Sequence, residues 1–166
     1  FKQKTAYEIM PSLVGSEMCI RDRAEMNRTA VRLGMTATHY ENTHGLTAET
    51  HLSTAADLLT LARAGWKMKR FRHYVGTRQH GCRLVGPGGR QRNIVWRNTN
   101  RLLPTEGYDG VKTGTTSAAG ACLVSTGRRG KDRLFVVVLG AAASAARYTD
   151  SRNLYRWAWI QRGHKK

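Results

Sequence analysis

The chain has 166 residues, with 28 Lys and Arg against 11 Asp and Glu for a formal charge of +17, and 40% of it is hydrophobic. No run approaches the ~20 apolar residues of a membrane-spanning helix. The three Cys are too few for a disulfide scaffold and match no zinc spacing, so no metal or cofactor is expected, and the apolar runs argue against a disordered or collagen-like chain. The charge points to a polyanionic partner and leaves nucleic acid, anionic lipid and an anionic wall polymer all open.

Residues 1–23 read as a translated sequencing adapter rather than as native protein. Lys2 to Glu8 back-translate as AAG CAG AAG ACG GCA TAC GAG, and Leu13 to Asp22 as CTC GTG GGC TCG GAG ATG TGT ATA AGA GAC. The two halves share one frame, and Ile9 to Ser12 fall where a sample index sits. A signal peptide fits poorly, because Glu8, Glu17 and Asp22 interrupt any apolar stretch and no basic segment leads into one. This segment carries four bases and three acids, so residues 24–166 keep +16 of the charge. They are read as one partial domain, with neither internal repeat nor linker.

Ala24 to Leu33 is expected to form a helix, with Met26, Ala30 and Leu33 on one face and Gly34 as its stop. Residues 36–52 are polar and turn-rich, an ordered loop. Thr54-Ala-Ala-Asp57 fits a capping box and opens a second helix with a stripe of Ala55, Leu58, Leu59, Ala62 and Trp66. From Lys67 to Arg97 the chain is basic and broken by glycines, and Tyr74-Val75 and Ile94-Val95-Trp96 are short strand candidates. Gly110 to Gly114 is an extended candidate. Ala121 to Thr126 and Leu134 to Leu139 are β-type runs joined by a Gly-containing basic link, a hairpin signal. The unbroken run LFVVVL predicts a central strand covered on both faces. Arg147 to Ile160 follows as a helix, with Leu154, Trp157 and Ala158 on one face and Trp157 and Trp159 packing on the sheet.

The most informative string is Asp109-Gly-Val-Lys-Thr-Gly-Thr-Thr116. On a strand, the Lys112 ammonium and Thr113 hydroxyl can face a cleft while Gly114 lets a substrate backbone lie alongside. Lys-Thr-Gly is one of the motifs of penicillin-interacting serine enzymes. Its surroundings extend the match in chain order: Met26-Asn27 with Leu33-Gly34-Met35, Thr38 with Asn42-Thr-His-Gly-Leu46, and Ser53-Thr-Ala-Ala-Asp57-Leu58. Asn98-Thr-Asn100 with Leu102-Leu103, Ala119-Gly120, and Leu139-Gly140 with Arg147 complete it. Together these blocks resemble the low-molecular-weight D-alanyl-D-alanine carboxypeptidases, the S11 family of serine peptidases that trims peptidoglycan stem peptides, over essentially all of 24–160. Thr43 stands where that family usually has Pro. Neither Ser-x-x-Lys nor Ser-x-Asn, which precede Met26 in the family, is present; Ser151-Arg-Asn153 follows Lys-Thr-Gly in a predicted helix and reads as chance.

The resemblance implies an α/β (α+β) fold, the β-lactamase/transpeptidase-like antiparallel sheet flanked by helices, N-terminally truncated. It implies a serine-type D-Ala-D-Ala carboxypeptidase in which Ser attacks the penultimate D-Ala carbonyl, D-Ala leaves, and water hydrolyses the acyl-enzyme. Lys112, Thr113 and Gly114 would form the catalytic wall, with Lys112 holding positive potential beside the nucleophile. Thr113 and Thr116 hydroxyls would orient the terminal carboxylate, the Thr115 N–H would be an oxyanion donor, and Arg147 would help bind the carboxylate unless it is a surface residue at a helix start. Without its nucleophile this chain alone is expected to be inactive. The implied partners are a peptidoglycan peptide and, at full length, β-lactams; no nucleic acid is expected, and membrane association stays open. The implied location is the cell envelope, in the periplasm or on the outer face of the cytoplasmic membrane.

Two other readings stay open. A basic nucleic-acid-binding module rests on the charge and on Trp66, Phe71, Tyr74 and Trp96 among the arginines of 67–97. A serine β-lactamase of the same superfamily is the other. His39, His44 and His51 read as loop residues, Asp57 and Asp109 as cap and turn residues, Cys82 as a surface thiol and Cys122 as a small core residue.

Overall fold

Gly34 ends the first helix. The computed structural model describes the backbone of residues 6–164 and the side chains of 19–164, and in it helix α1 spans Ala6–Arg32. Gly34 follows at φ +73°. Its N–H donates to the Val31 carbonyl at 3.0 Å and the Met35 N–H donates to Ala30 at 2.9 Å, a closure that needs left-handed backbone at the glycine. The helix begins upstream of the expected Ala24, inside the segment read as adapter-derived.

The chain divides into two units, residues 1–61 and 62–166. In the first, the loop after α1 is held by side chains. The Asn27 amide donates to the Tyr40 carbonyl and accepts from the Tyr40 N–H, both at 2.8 Å. His39 and Leu52 form an isolated antiparallel bridge. Helix α2 (Ala55–Trp66) opens with the Asp57 N–H donating to Thr54 Oγ1 at 3.2 Å, as the capping box predicts. The reciprocal half is replaced: the buried Asp57 carboxylate accepts from the Ala37 N–H at 3.0 Å and the Thr38 hydroxyl at 2.7 Å. The cap acid therefore ties the loop to the helix.

The second unit contains helix α3 (Lys69–Gly76) and a two-stranded ribbon of β1 (Gln79–Val85) and β2 (Gln91–Arg97). A three-stranded antiparallel sheet of β3 (Tyr108–Thr116), β4 (Gly120–Arg129) and β5 (Asp132–Ala141) follows, and then helix α4 (Ala146–Gln161). Tyr74-Val75 is helical, not a strand. Val75 packs where Gly110 leaves room: a Cβ on Gly110 would sit 2.9 Å from Val75 Cγ2, and this tertiary contact overrides a two-residue β preference. Ile94 to Trp96 do lie in a strand, while β1 carries too weak an alternation to be read in advance.

The order β3-β4-β5 makes β4 the central strand and puts LFVVVL on the edge strand β5 among the described residues. Its continuous pattern reports two covered faces, which is a different matter from two paired edges. Val136 and Val138 join the core beneath α4, while Phe135 meets Trp66 edge-on at 5.8 Å on the other face. The β4–β5 ladder continues to Arg129↔Asp132, so most of the expected link is strand and the turn sits at Gly130-Lys131.

Helix α4 also turns a different face to the sheet. Tyr148, Ser151, Tyr155 and Trp159 are buried, whereas Leu154 is 44% and Trp157 63% exposed. Both stripes satisfy the helical period, and the one with the larger aromatic area is the one buried. Gly127 admits it, since a Cβ there would lie 3.0 Å from Tyr155 Cε1. The Tyr155 hydroxyl donates to Ser125 Oγ at 3.1 Å, and its ring meets Tyr108 edge-on at 5.1 Å.

Burial pushes the Tyr155 phenol well above the ordinary tyrosine value, against a smaller opposing pull from its bond to Ser125. The folded chain keeps this proton after the unfolded chain has lost it near pH ~10, so the stability it contributes is complete below that pH and declines above it. Tyr155→Phe, with no proton to lose, is expected to lower stability by about 1 kcal/mol near neutrality and to show a shallower alkaline decline in urea midpoint. Parallel declines above pH 10 would contradict this account.

Candidate active site

A β-strand sends successive side chains to opposite faces, so the five residues predicted on β3 cannot all line one wall. Thr113 and Thr115 pair with Leu123 and Ala121, which belong to the core beneath α4. Lys112, Gly114 and Thr116 pair with Val124, Cys122 and Gly120 and take the other face.

On that face Lys112 is exposed and its ammonium donates to the Thr113 carbonyl. Gly114 has no heavy atom within 4 Å of where a Cβ would stand, so the strand is open beside the lysine. Thr116 Oγ1 accepts from the Ala119 N–H at 3.1 Å, which shapes the β3–β4 turn. β3 is the outer strand of its sheet among the described residues, with one edge unpaired.

On the α4 side, Thr113 is buried and its hydroxyl lies 2.6 Å from that of Thr99. The sequence motifs give Thr99 no role, although it lies within the Asn98-Thr-Asn100 block. The signal was the two asparagines: Asn98 Oδ1 accepts from the Asn100 N–H at 2.9 Å and Asn100 Oδ1 from the Leu102 N–H at 3.0 Å, successive Asx turns. Tyr148 secures the segment by donating to the Thr99 carbonyl at 3.0 Å.

Arg147 is buried, not a surface residue. Its Nη1 donates to the Gly114 carbonyl and Thr115 Oγ1, both at 2.9 Å, and to the Cys122 carbonyl at 3.3 Å; Nη2 donates to Ser144 Oγ at 3.0 Å. The first turn of α4 is thus bonded to β3 and β4 at the end of the Lys-Thr-Gly string. Nε is buried without a partner among the described residues.

The remaining candidates are structural. His44 and His51 accept through Nδ1 from the Leu46 and Glu41 N–H groups, each at 3.2 Å. Among the described residues no group of three or more His, Cys, Asp or Glu could hold a metal. Asp109 lies in β3, not in a turn, and pairs with Arg133 at 2.7 Å. Cys82 and Cys122 are free and both half-buried, between the surface and core positions expected for them. Ser151 is fully buried inside α4, so its string match is no site.

Residues 23–143 match the family Peptidase_S11, described as D-alanyl-D-alanine carboxypeptidase. The chain is 33% identical over 138 residues to the D-alanyl-D-alanine carboxypeptidase DacF of Bacillus subtilis, covering 82% of this chain and 34% of that protein. It is 37% identical over 135 residues to DacD of Escherichia coli, covering 80% and 32%. Among solved structures, the Streptomyces K15 DD-transpeptidase aligns with a TM-score of 0.78 at 32% identity, over 82% of this chain and 53% of that one. Penicillin-binding protein D2 of Listeria monocytogenes, in its cefotaxime-bound form, aligns at 0.66 and 29%, over 81% and 53%. The chain therefore spans about a third to a half of the proteins it matches, and its mixed helix and antiparallel sheet is the DD-peptidase fold. The matches favour neither the nucleic-acid-binding nor the β-lactamase alternative.

Removing the Arg147 guanidinium leaves acceptors on three segments without their donor. Arg147→Leu is expected to lower the unfolding free energy by about 3 kcal/mol in urea titration. Arg147→Lys, which cannot supply the fork, should recover less than half of that. A loss below about 1 kcal/mol for the leucine variant would show that the clamp is dispensable.

Proposed function

Because the chain belongs to the S11 family of D-alanyl-D-alanine carboxypeptidases, we propose that it is part of a serine-type D-Ala-D-Ala carboxypeptidase of the cell envelope and that β3 is the substrate-binding wall of its site. The observation that supports this most is the edge of β3 left unpaired among the described residues, where Lys112 stands exposed beside the open backbone of Gly114. An extended stem peptide can add to such an edge through main-chain hydrogen bonds.

In this reading a serine encoded upstream attacks the penultimate D-Ala carbonyl. The C–N bond breaks, D-Ala leaves with a proton on its amine, and water then cleaves the serine ester and restores the hydroxyl. Lys112 supplies positive potential beside that serine. The Thr115 N–H is one oxyanion donor, and Thr116 helps orient the terminal carboxylate. Thr113, expected to orient the carboxylate beside Thr116, instead lies on the α4 side with its hydroxyl against that of Thr99 and supports the strand from behind. Arg147 acts as a positioning residue, since its donors already hold Gly114, Thr115 and Cys122. A β-lactam would acylate the same serine. No helix among the described residues is long and apolar enough to cross a membrane.

Residues 1–23 are proposed to be adapter-derived, with Ser-x-x-Lys and Ser-x-Asn encoded ahead of Met26. Genomic DNA across this locus tests both points. The 166-residue chain is expected to form no covalent adduct with labelled penicillin, and the protein read from the uninterrupted frame to form one. Lys112→Ala in that longer protein should slow acylation on the order of 100-fold. Acylation of the 166-residue chain, or a frame with no upstream Ser-x-x-Lys, would overturn the proposal.

A further inference from the structure

No residue of β1 or β2 is buried, and among the described residues the two strands pair only with each other. A two-stranded ribbon left alone in water is marginal and gains from any surface that covers one of its faces. Its base is fixed to the chain before it. The Asn98 N–H donates to the Arg78 carbonyl at 2.8 Å, and the Asn98 side-chain amide donates to the Val75 and Thr77 carbonyls at 3.3 and 3.1 Å. From there the strands run about 20 Å, at ~3.3 Å per residue, to the turn at Pro87–Gly89.

Residues directly opposed in an antiparallel pair share a face. The register His80↔Trp96, Cys82↔Ile94 and Leu84↔Arg92 therefore sets Trp96, Ile94, Cys82 and Leu84 in one apolar column, with His80 at its base and Arg92 near the turn. Trp96 is 62% and Leu84 47% exposed. Arg83 and Arg97 lie on the opposite face with Val85 and Val95, and Arg90 follows the turn. All four arginines are exposed, and the sequence holds no Asp or Glu between Asp57 and Glu106. An apolar face bearing an indole, framed by guanidiniums and free of acid, matches the border of an anionic bilayer. Indole rings settle at head-group depth, and arginine stems lie along apolar surface while their heads reach phosphate. DNA would engage the arginines and leave Leu84 and Ile94 without a partner. A second copy of the chain would bring the same arginines against one another.

We propose that the β1–β2 ribbon is a docking surface for an anionic phospholipid bilayer, lying along it with the Trp96–Ile94–Leu84 face at head-group level and Arg83, Arg90, Arg92 and Arg97 on the lipid phosphates. The attachment is peripheral: one ribbon face enters the interface and no segment crosses it. The surface shares no residue with the Lys-Thr-Gly string and does not depend on the proposed carboxypeptidase activity.

Sedimentation of the 166-residue chain with phosphatidylglycerol vesicles, against neutral phosphatidylcholine vesicles, tests it. Binding to the anionic vesicles is expected, with brominated acyl chains quenching tryptophan emission and Trp96→Phe removing most of that quenching. Arg92→Gln combined with Arg97→Gln should weaken binding about tenfold, and Trp96→Ser combined with Leu84→Ser at least about threefold. Controls on α4 change exposed positions of the same kinds: Arg152→Gln with Arg156→Gln removes equal charge, and Trp157→Ser removes an indole 63% exposed. Each control is expected to alter binding less than twofold. Equal loss from the ribbon and α4 charge pairs, or full binding by the Trp96 and Leu84 double variant, would reduce the effect to net charge and overturn the proposal. So would tighter binding to a DNA duplex or to polyphosphate than to the vesicles, or no vesicle binding at all. A dimer that the ribbon variants dissociate, without vesicle binding, would give the face to a second copy instead. Loss of vesicle binding in the longer protein read from the uninterrupted frame would show the face covered by its own chain, and would equally overturn it.

Discussion

A guanidinium taken out of water must be met by acceptors, and the residues around Arg147 are arranged to meet it. Two backbone carbonyls, Gly114 and Cys122, and two hydroxyls, Thr115 and Ser144, come from β3, β4 and the turn before α4. The desolvation of that charge is large unless all these partners are in place. The clamp therefore sets the end of β3 against the start of α4, and with it the strand that carries Lys112. Its cation also lies 5.1 Å from the Tyr148 ring, and Tyr148 in turn holds the Thr99 carbonyl. A single buried charge thus couples the helix, the two strands and the asparagine-bracketed turn.

Two glycines decide how closely the helices approach the sheet. Gly110 admits Val75 of α3 on one face and Gly127 admits Tyr155 of α4 on the other, each at a distance that a Cβ would occupy. Close approach at Gly127 puts Tyr155 on Ser125 and on Tyr108, which buries an aromatic column running to Trp159. Among the described residues the sheet also keeps an unpaired, lysine-bearing edge at β3, open where Gly114 carries no side chain.

Much of this was legible in residue order. The Gly34 stop, the Thr54 cap, the β4–β5 hairpin and a C-terminal helix all follow from local rules, because each depends on backbone conformation or on neighbours a few residues away. The Lys-Thr-Gly string and its flanking blocks pointed to the family, which the comparisons bear out. What failed were the choices between faces and positions. Leu154, Trp157 and Ala158 satisfy the helical period as well as Tyr148, Tyr155 and Trp159 do. LFVVVL looks central because both of its faces are covered, yet it lies on an edge of the described sheet. Tyr74-Val75 has β-prone residues but is drawn into α3 by the space above Gly110.

Residue order alone determined the family, the strand that carries Lys112 and the caps and stops of the helices, since these are written in short-range patterns and in motif spacing. Only the tertiary structure decided that Asp57 ties down a loop, that Thr113 faces Thr99, and that Arg147 is buried and occupied. The bonds of Asp57, of Thr113 and of Arg147 to β3 and β4 join residues between 14 and 33 positions apart. At such separations, packing and the cost of unpaired buried polar groups choose the partner, and no local preference does.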